Sequence, residues 1–129
     1  MRIELPTKSD LEYLLGVTGP ECVSWYLPTT PTTDDVDAER IAWKNQSSEA
    51  IAALTARGVD KRRVWQFEEL IADVDADANF WHHQARTLAV FTDGDHLHTF
   101  RLPNQIEAIT EVADRFFVKP LLRSVTFPS

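Results

Sequence analysis

Phe80-Trp81-His82-His83-Gln84-Ala85-Arg86-Thr87-Leu88-Ala89-Val90-Phe91-Thr92-Asp93-Gly94-Asp95 is the stretch from which the fold is read. Thr87 to Thr92 is a short apolar, β-branched and aromatic run, which predicts a strand of the continuous, largely buried kind. Asp93-Gly94-Asp95 supplies a tight turn, and His96 to Leu102 returns as the second arm of a β-hairpin. Ahead of the hairpin stand five large side chains in a row. Phe80 and Trp81 suit a wedge that anchors a helix–strand junction in the core. His82 and His83 beside them suit equally a metal or catalytic site.

The segments before the hairpin are helical. Val64, Phe67, Ile71 and Val74 form one apolar line of a helix that starts after Asp60. Asp73, Asp75 and Asp77 then read as a solvated acidic connection, since neither the glycine nor the distal glutamate of a calcium loop is present. A longer helix is predicted from Asp34 to Arg57. Its acidic start and basic end suit the helix dipole, and Gly58 suits the left-handed terminating position. Val36, Trp43, Ser47, Ala50 and Leu54 share one of its faces, which should cover a sheet. Arg40 flanks that stripe, with Asp37 as a nearby partner. Cys22 to Leu27, ended by Pro28, is a strand, and Thr29 to Thr33 is a loop able to cap the long helix. Ser9 and Glu12 have the spacing of a capping box for a short first helix that stops by Gly16 or Gly19-Pro20. After the hairpin, Ile106 to Val112 is predicted to be a further strand, and Phe116 to Val118 to be extended before Pro120. The order of elements predicts an α+β domain: a small mixed or antiparallel sheet of four to five strands packed by helices.

The chain has 129 residues, the size of one ordinary domain. Its single cysteine, Cys22, excludes an internal disulfide and fits a reducing compartment. No apolar run approaches the roughly 20 residues that span a bilayer, and Met1 to Pro6 lack the apolar stretch expected of a signal peptide. A cytoplasmic protein with no membrane partner is therefore expected. The formal charge of −7 argues against a stand-alone nucleic-acid binder, whose affinity rests on Lys and Arg at phosphates. Lys61-Arg62-Arg63 is the one basic cluster.

A second candidate for metal chemistry lies in the hairpin. His96 and His98 lie two apart on the returning strand, with Asp95 in the turn as a third donor. Cys22 falls in a core strand, where a thiol is inert. There is no phosphate-binding glycine loop, no G-x-S-x-G and no H-E-x-x-H, so no catalytic residue and no cofactor are assigned.

Four blocks carry a family resemblance. Cys22-Val23-Ser24-Trp25-Tyr26-Leu27-Pro28-Thr29 resembles the V-S-x-Y-L-P-T strand and turn of the bacterial relatives of the archaeo-eukaryotic class-1 peptide-chain release factors. Arg40-Ile41-Ala42-Trp43-Lys44-Asn45 is similar to that family's R-I-x-x-K-N. Phe80-Trp81-His82-His83-Gln84, followed by Leu88-Ala89-Val90-Phe91, resembles its F-W-x-H-Q-x-x-x-L-A-V-F. Asp114-Arg115-Phe116-Phe117-Val118-Lys119-Pro120-Leu121-Leu122 is similar to the D-R-F-x-x-K-P-L-L that closes its first domain. The resemblance implies one release-factor-like N-terminal domain over residues 1–129, with 122–129 leading into a linker or tail and further domains expected beyond. It implies a non-catalytic recognition role near the ribosome, in rescue or quality control, with ribosomal RNA or tRNA as partner of the full-length protein. Arg40, Lys44, Asn45, Lys61, Arg62 and Arg63 are the candidates for that contact. Phe80, Trp81, His83, Gln84, Lys119 and Pro120 are its structural signature, with His83 and Gln84 expected to bond backbone and His82 to face solvent. The NIKS loop does not precede Lys44-Asn45 and GGQ is absent, so neither stop-codon decoding nor ester hydrolysis is implied. Two alternatives stand beside this reading: a small metal- or ligand-binding domain using the hairpin histidines, and a homo-oligomeric interaction module using an exposed hairpin edge.

Overall fold

The computed structural model describes residues 3–31 and 36–125. Along the chain run α1 (Lys8–Gly16), β1 (Thr18–Pro28), α2 (Val36–Ala56), α3 (Lys61–Ala76), α4 (Ala78–Trp81), β2 (Thr87–Thr92), β3 (Leu97–Leu102), β4 (Ile109–Arg115) and α5 (Lys119–Leu122). The four strands form one antiparallel sheet in the order β3-β2-β1-β4. The hairpin pairs Thr87 with Leu102 and Thr92 with Leu97, and β1 lies against its other side with Trp25 opposite Val90. This is the α+β architecture that the pattern of apolar residues predicts.

Both faces of the sheet are covered, because side chains alternate along each strand and both sets are apolar. Val23, Trp25 and Leu27 of β1 and Leu88 and Val90 of β2 face α2, α3 and α4. Cys22, Tyr26, Ala89, Phe91, Phe100 and Leu102 face the other way, onto Leu11 and Leu14 of α1 and Leu121 of α5. Tryptophan dominates the first layer. Trp25 and Trp43 lie 5.0 Å apart between ring centroids, and Trp43 and Trp81 lie 6.5 Å apart. All three are buried, and each indole N–H finds a backbone carbonyl: Trp25 on Gln46 at 3.2 Å, Trp43 on Ile71 at 3.3 Å, and Trp81 on Val74 at 2.9 Å. Gln46 also acts as a donor from α2. Its Nε2 donates to the carbonyls of Tyr26 and Ile109 and to Thr110 Oγ1, each at 3.2 Å, binding the helix to β1 and β4 at once.

Several boundaries differ from those expected. The capping box of α1 is formed by Thr7 and Asp10, not by Ser9 and Glu12: Asp10 N–H donates to Thr7 Oγ1 at 3.0 Å and Thr7 N–H to Asp10 Oδ2 at 2.8 Å. The helix thus starts at Lys8, and Ser9 already lies inside it. Asp73 and Asp75 belong to α3 instead of a connection, while Asp77 caps the extra helical turn α4 by accepting the Phe80 N–H at 3.0 Å. The last strand is Ile109–Arg115, shifted from Ile106–Val112 by the loop that follows Pro103. Phe116 to Val118 are not a strand. Val118 has helical φ and ψ, and Pro120 sits in the first turn of α5, where its missing N–H is harmless. Asp34, Asp35, Thr32 and Thr33, expected to start and cap α2, lie outside the described residues. Gly58, with φ of 80°, ends the helix as expected.

The indole stack and Gln46 make separable predictions. Trp43→Ala should lower unfolding free energy by about 3–5 kcal/mol. Gln46→Ala, which removes the donor to the buried Tyr26 carbonyl, should cost about 1–3 kcal/mol. Urea unfolding followed by far-UV circular dichroism checks both; a Gln46→Ala protein as stable as the parent would show that the clip is incidental.

Candidate functional site

The basic residues that sequence singles out are dispersed and mostly engaged. Arg40 Nη2 donates to the Asp75 carbonyl at 2.7 Å, and its Nε lies 3.6 Å from Asp75 Oδ1. Its partner is therefore Asp75 on α3, not Asp37 on its own helix, because the antiparallel packing brings the head of α2 to the tail of α3. Lys44 Nζ reaches the same carboxylate at 4.0 Å, while Asn45 is exposed. Arg57 donates to the carbonyls of Pro20 at 2.9 Å and Val112 at 3.2 Å, tying the end of α2 to β1 and β4.

Arg63 is the most heavily used cation. It donates to Asp95 Oδ1 at 3.0 Å, to Gln66 Oε1 at 2.7 Å and to the carbonyl of Asp93. Glu21 lies 3.9 Å away, and the guanidinium sits 5.3 Å above the Phe67 ring. It clamps the hairpin turn from α3. Gly94 has φ of 94°, and a Cβ there would meet the Arg63 guanidinium carbon at 2.7 Å. The turn thus requires glycine for its backbone and for the approach of the clamp. Lys61 and Arg62, by contrast, are exposed and make no ion pair among the described residues.

At the junction before β2 one histidine contacts the backbone. His83 Nδ1 lies 2.8 Å from the Asn79 carbonyl and Gln84 Nε2 donates to the Phe80 carbonyl at 2.8 Å, which closes α4 and turns the chain into the sheet. His82 is exposed, and Trp81 is buried. Phe80 packs against Trp81 and carries the Arg101 guanidinium 4.6 Å above its ring. In α5, Pro120 is buried and Lys119 is exposed.

The hairpin histidines do not share a site. His96 lies in the turn before β3, with Nδ1 4.0 Å from Asp93 Oδ1, whereas His98 stacks edge-on against Tyr13 of α1 at 5.0 Å. Among the described residues no three His, Cys, Asp or Glu side chains converge as a metal ion requires. The Cys22 thiol is pushed up by burial, then by the nearby carboxylates of Asp93, Asp114 and Glu21, so it stays protonated and unreactive. Burial also pushes up the Tyr26 phenol, which donates to the Phe117 carbonyl. Burial raises Asp93 too, but the His96 and Asp95 backbone N–H groups, each 2.9 Å from Oδ1, outweigh it and hold the carboxyl below its ordinary value.

Two surface features escape the sequence reading. Trp65 stands off the buried line of α3 with 63% of its surface exposed. A groove of about 610 Å³ runs between α2 and α3, lined by Trp43, Ser47, Ile51, Ile71 and Ala72 with Lys44, Glu68 and Asp75 at its rims. The signal for Trp65 is its place outside the Val64–Phe67–Ile71–Val74 line; the groove depends on how far apart two helices sit, which no single helix encodes. No helix among the described residues is long and apolar enough to cross a membrane. No family model matches the chain, and no curated protein matches it.

Arg63→Ala should destabilise the fold by about 1–3 kcal/mol, since it leaves the turn carbonyl and Asp95 without their partner. Asp93 makes the turn pH-sensitive. A carboxyl whose folded pKa is depressed adds stability above its unfolded pKa of about 3.9, and loses it as pH falls through the lower folded value. Urea midpoints from about pH 5 to pH 2 should therefore fall more steeply for the parent than for Asp93→Asn. Parallel profiles would exclude Asp93 as the cause.

Proposed function

We propose that this chain is a non-catalytic recognition domain of a release-factor-like protein with a ribosome-associated role, in rescue or quality control. The observation that supports this reading is where residues specified by three of the family-like blocks go. Tyr26 of the first, Phe91 of the third and Phe116 of the fourth meet ring to ring, Tyr26 and Phe91 at 5.9 Å and Phe91 and Phe116 at 5.5 Å between centroids. Blocks far apart in the chain thus share one core, as a shared fold signature would.

Recognition of RNA then falls to the cations not spent inside the fold. Arg40 and Arg63 hold α3 and the hairpin turn, and Lys44 leans on Asp75. Lys61 and Arg62 are exposed at the start of α3, next to the α2–α3 turn, and are the residues proposed to meet phosphate. The surrounding acidity keeps such binding local and salt-sensitive.

Co-sedimentation of the full chain with ribosomes tests this. The parent should pellet at low salt and be released as salt rises. Arg62→Glu should bind more weakly, with the logarithmic salt dependence reduced by about one for the lost contact. Undiminished pelleting of the charge reversal would count against this surface, and absence of the parent from the pellet at low salt would count against the ribosomal role.

A further inference from the structure

The two edges of the sheet differ. Residues along an antiparallel strand bond alternately to the neighbour on one side and to the side away from it. Thr29 N–H donates to the Arg86 carbonyl at 2.9 Å, one step beyond the Pro28–Thr87 rung. By alternation Leu27, Trp25 and Val23 bond to β2, while Tyr26, Ser24 and Cys22 bond to β4. Carried through the hairpin, the same alternation turns Arg101 of β3 outward, and there Glu4 exchanges both backbone bonds with it, at 2.8 and 3.0 Å. On β4 it spends Ile109, Glu111 and Ala113 on β1, so Thr110, Val112 and Asp114 present their N–H and C=O groups to the outer edge. No strand among the described residues pairs with that edge. Arg57 reaches it from the end of α2 and donates to the Val112 carbonyl at 3.2 Å, which leaves that oxygen able to accept a second bond.

The side chains along this edge are charged and unanswered. Glu111, Asp114 and Arg115 make no ion pair among the described residues, and Arg57 is bonded to carbonyls, not to a carboxylate. Glu111 and Arg115 share one face of β4 with Ile109, and Asp114 shares the other with Val112. Four residues of strand hold Glu111 and Arg115 of one copy about 13 Å apart, too far to meet. A second copy can reach both. Laid antiparallel along the edge, it must set outward residues against outward residues, so the two-fold axis passes through a residue. Among the axes within β4, the one at Ala113 sets opposite charges together: Glu111 faces Arg115 of the second copy, twice, at the rungs without backbone bonds where side chains stand closest. The same register sets Asp114 of the second copy against Val112, beside the Arg57 guanidinium. A net charge of −7 repels a second copy at a distance, but screening over about 8 Å at physiological salt leaves the local pairs to decide the register.

We propose that β4 pairs with β4 of a second copy about a two-fold axis at Ala113, joining the two sheets into one. Residues 111–115 of each copy carry the contact. Val112 and Asp114 exchange backbone bonds across the axis, Glu111 meets Arg115 on one face, and Asp114 meets Arg57 on the other. The interface is isologous and closed, so the unpaired edge of each copy is covered by the other and no further chain adds. This is the edge opposite the hairpin, and the proposal does not depend on RNA binding by Lys61 and Arg62.

Sedimentation equilibrium of the full chain over micromolar to millimolar concentrations tests it, with the near-ultraviolet spectrum of the buried indoles certifying that each variant is folded. The parent should show a monomer–dimer equilibrium. Glu111→Arg and Arg115→Glu each set like charges across the axis and should weaken the dimer by about tenfold or more. An equimolar mixture of these two variants should form a heterodimer, and the double variant Glu111→Arg/Arg115→Glu should self-associate like the parent, because both restore opposite charges. Asp114→Pro removes an outward N–H without touching the β1 ladder and should be monomeric. Asp114 and Arg115 are exposed, so their variants remain readable whatever Glu111→Arg does to folding. A parent that stays monomeric across the range would leave the edge to a strand of another chain and overturn the proposal. So would a dimer that Arg115→Glu and Asp114→Pro leave unchanged, or a mixture of the two folded reversals that stays monomeric.

Discussion

Three buried indoles impose the constraint on which this fold depends. An indole placed in a dry core must give its N–H to an acceptor or forfeit the energy of the bond. Trp25, Trp43 and Trp81 sit in a row, and their acceptors are the backbone carbonyls of Gln46, Ile71 and Val74. Each bond crosses from one element to another: β1 to α2, α2 to α3, and α4 back to α3. The angle and depth at which α2 and α3 lie on the sheet are thereby set by bonds with direction, and not only by apolar area. Gln46 closes the arrangement from the helix side by reaching β1 and β4. The wide trough between the outer faces of α2 and α3 is a consequence, since Trp43 fills the space between these helices from below and Trp81 holds the tail of α3.

Polar contacts take up four of the fold's arginines in the same way. Arg57 holds the end of α2 to β1 and β4, Arg63 holds the hairpin turn, and Arg40 holds the tail of α3. Arg101 is buried between Phe80 and Glu4, and paired backbone bonds between Glu4 and Arg101 draw the N-terminal segment onto the edge of β3. With these cations turned inward, the exterior is left acidic. Lys61 and Arg62 stand outside that division as an exposed basic pair at the start of α3.

Much of the architecture is legible in the sequence because it rests on local patterns. The Thr87–Thr92 run and Asp93-Gly94-Asp95 specify the hairpin, and helical spacing identifies Trp43, Ser47, Ala50 and Leu54 as a buried face. Gly58 marks the end of α2 through its own backbone chemistry. The misreadings share a cause. At Thr7 and Ser9 two equivalent caps stand two residues apart, and the choice is settled by where Leu11 and Leu14 meet the sheet. Arg40 could reach an acid on its own helix, but tertiary packing presents Asp75. His96 and His98 have ligand spacing, yet a turn and an α1 ring separate their environments. Partners chosen across elements are not written in either element alone, and that is why the sequence does not disclose the engaged state of Arg63 or the α2–α3 groove.

The directed indole bonds can be examined in one spectrum. Hydrogen exchange of the four indole N–H groups, followed by NMR in the native state, separates them by environment. If the stack is the joint between sheet and helices, Trp25, Trp43 and Trp81 will exchange together, at a rate set by global unfolding, while Trp65 exchanges as fast as a free indole. Exchange of any one of the three through a local opening far below the global free energy would contradict the account.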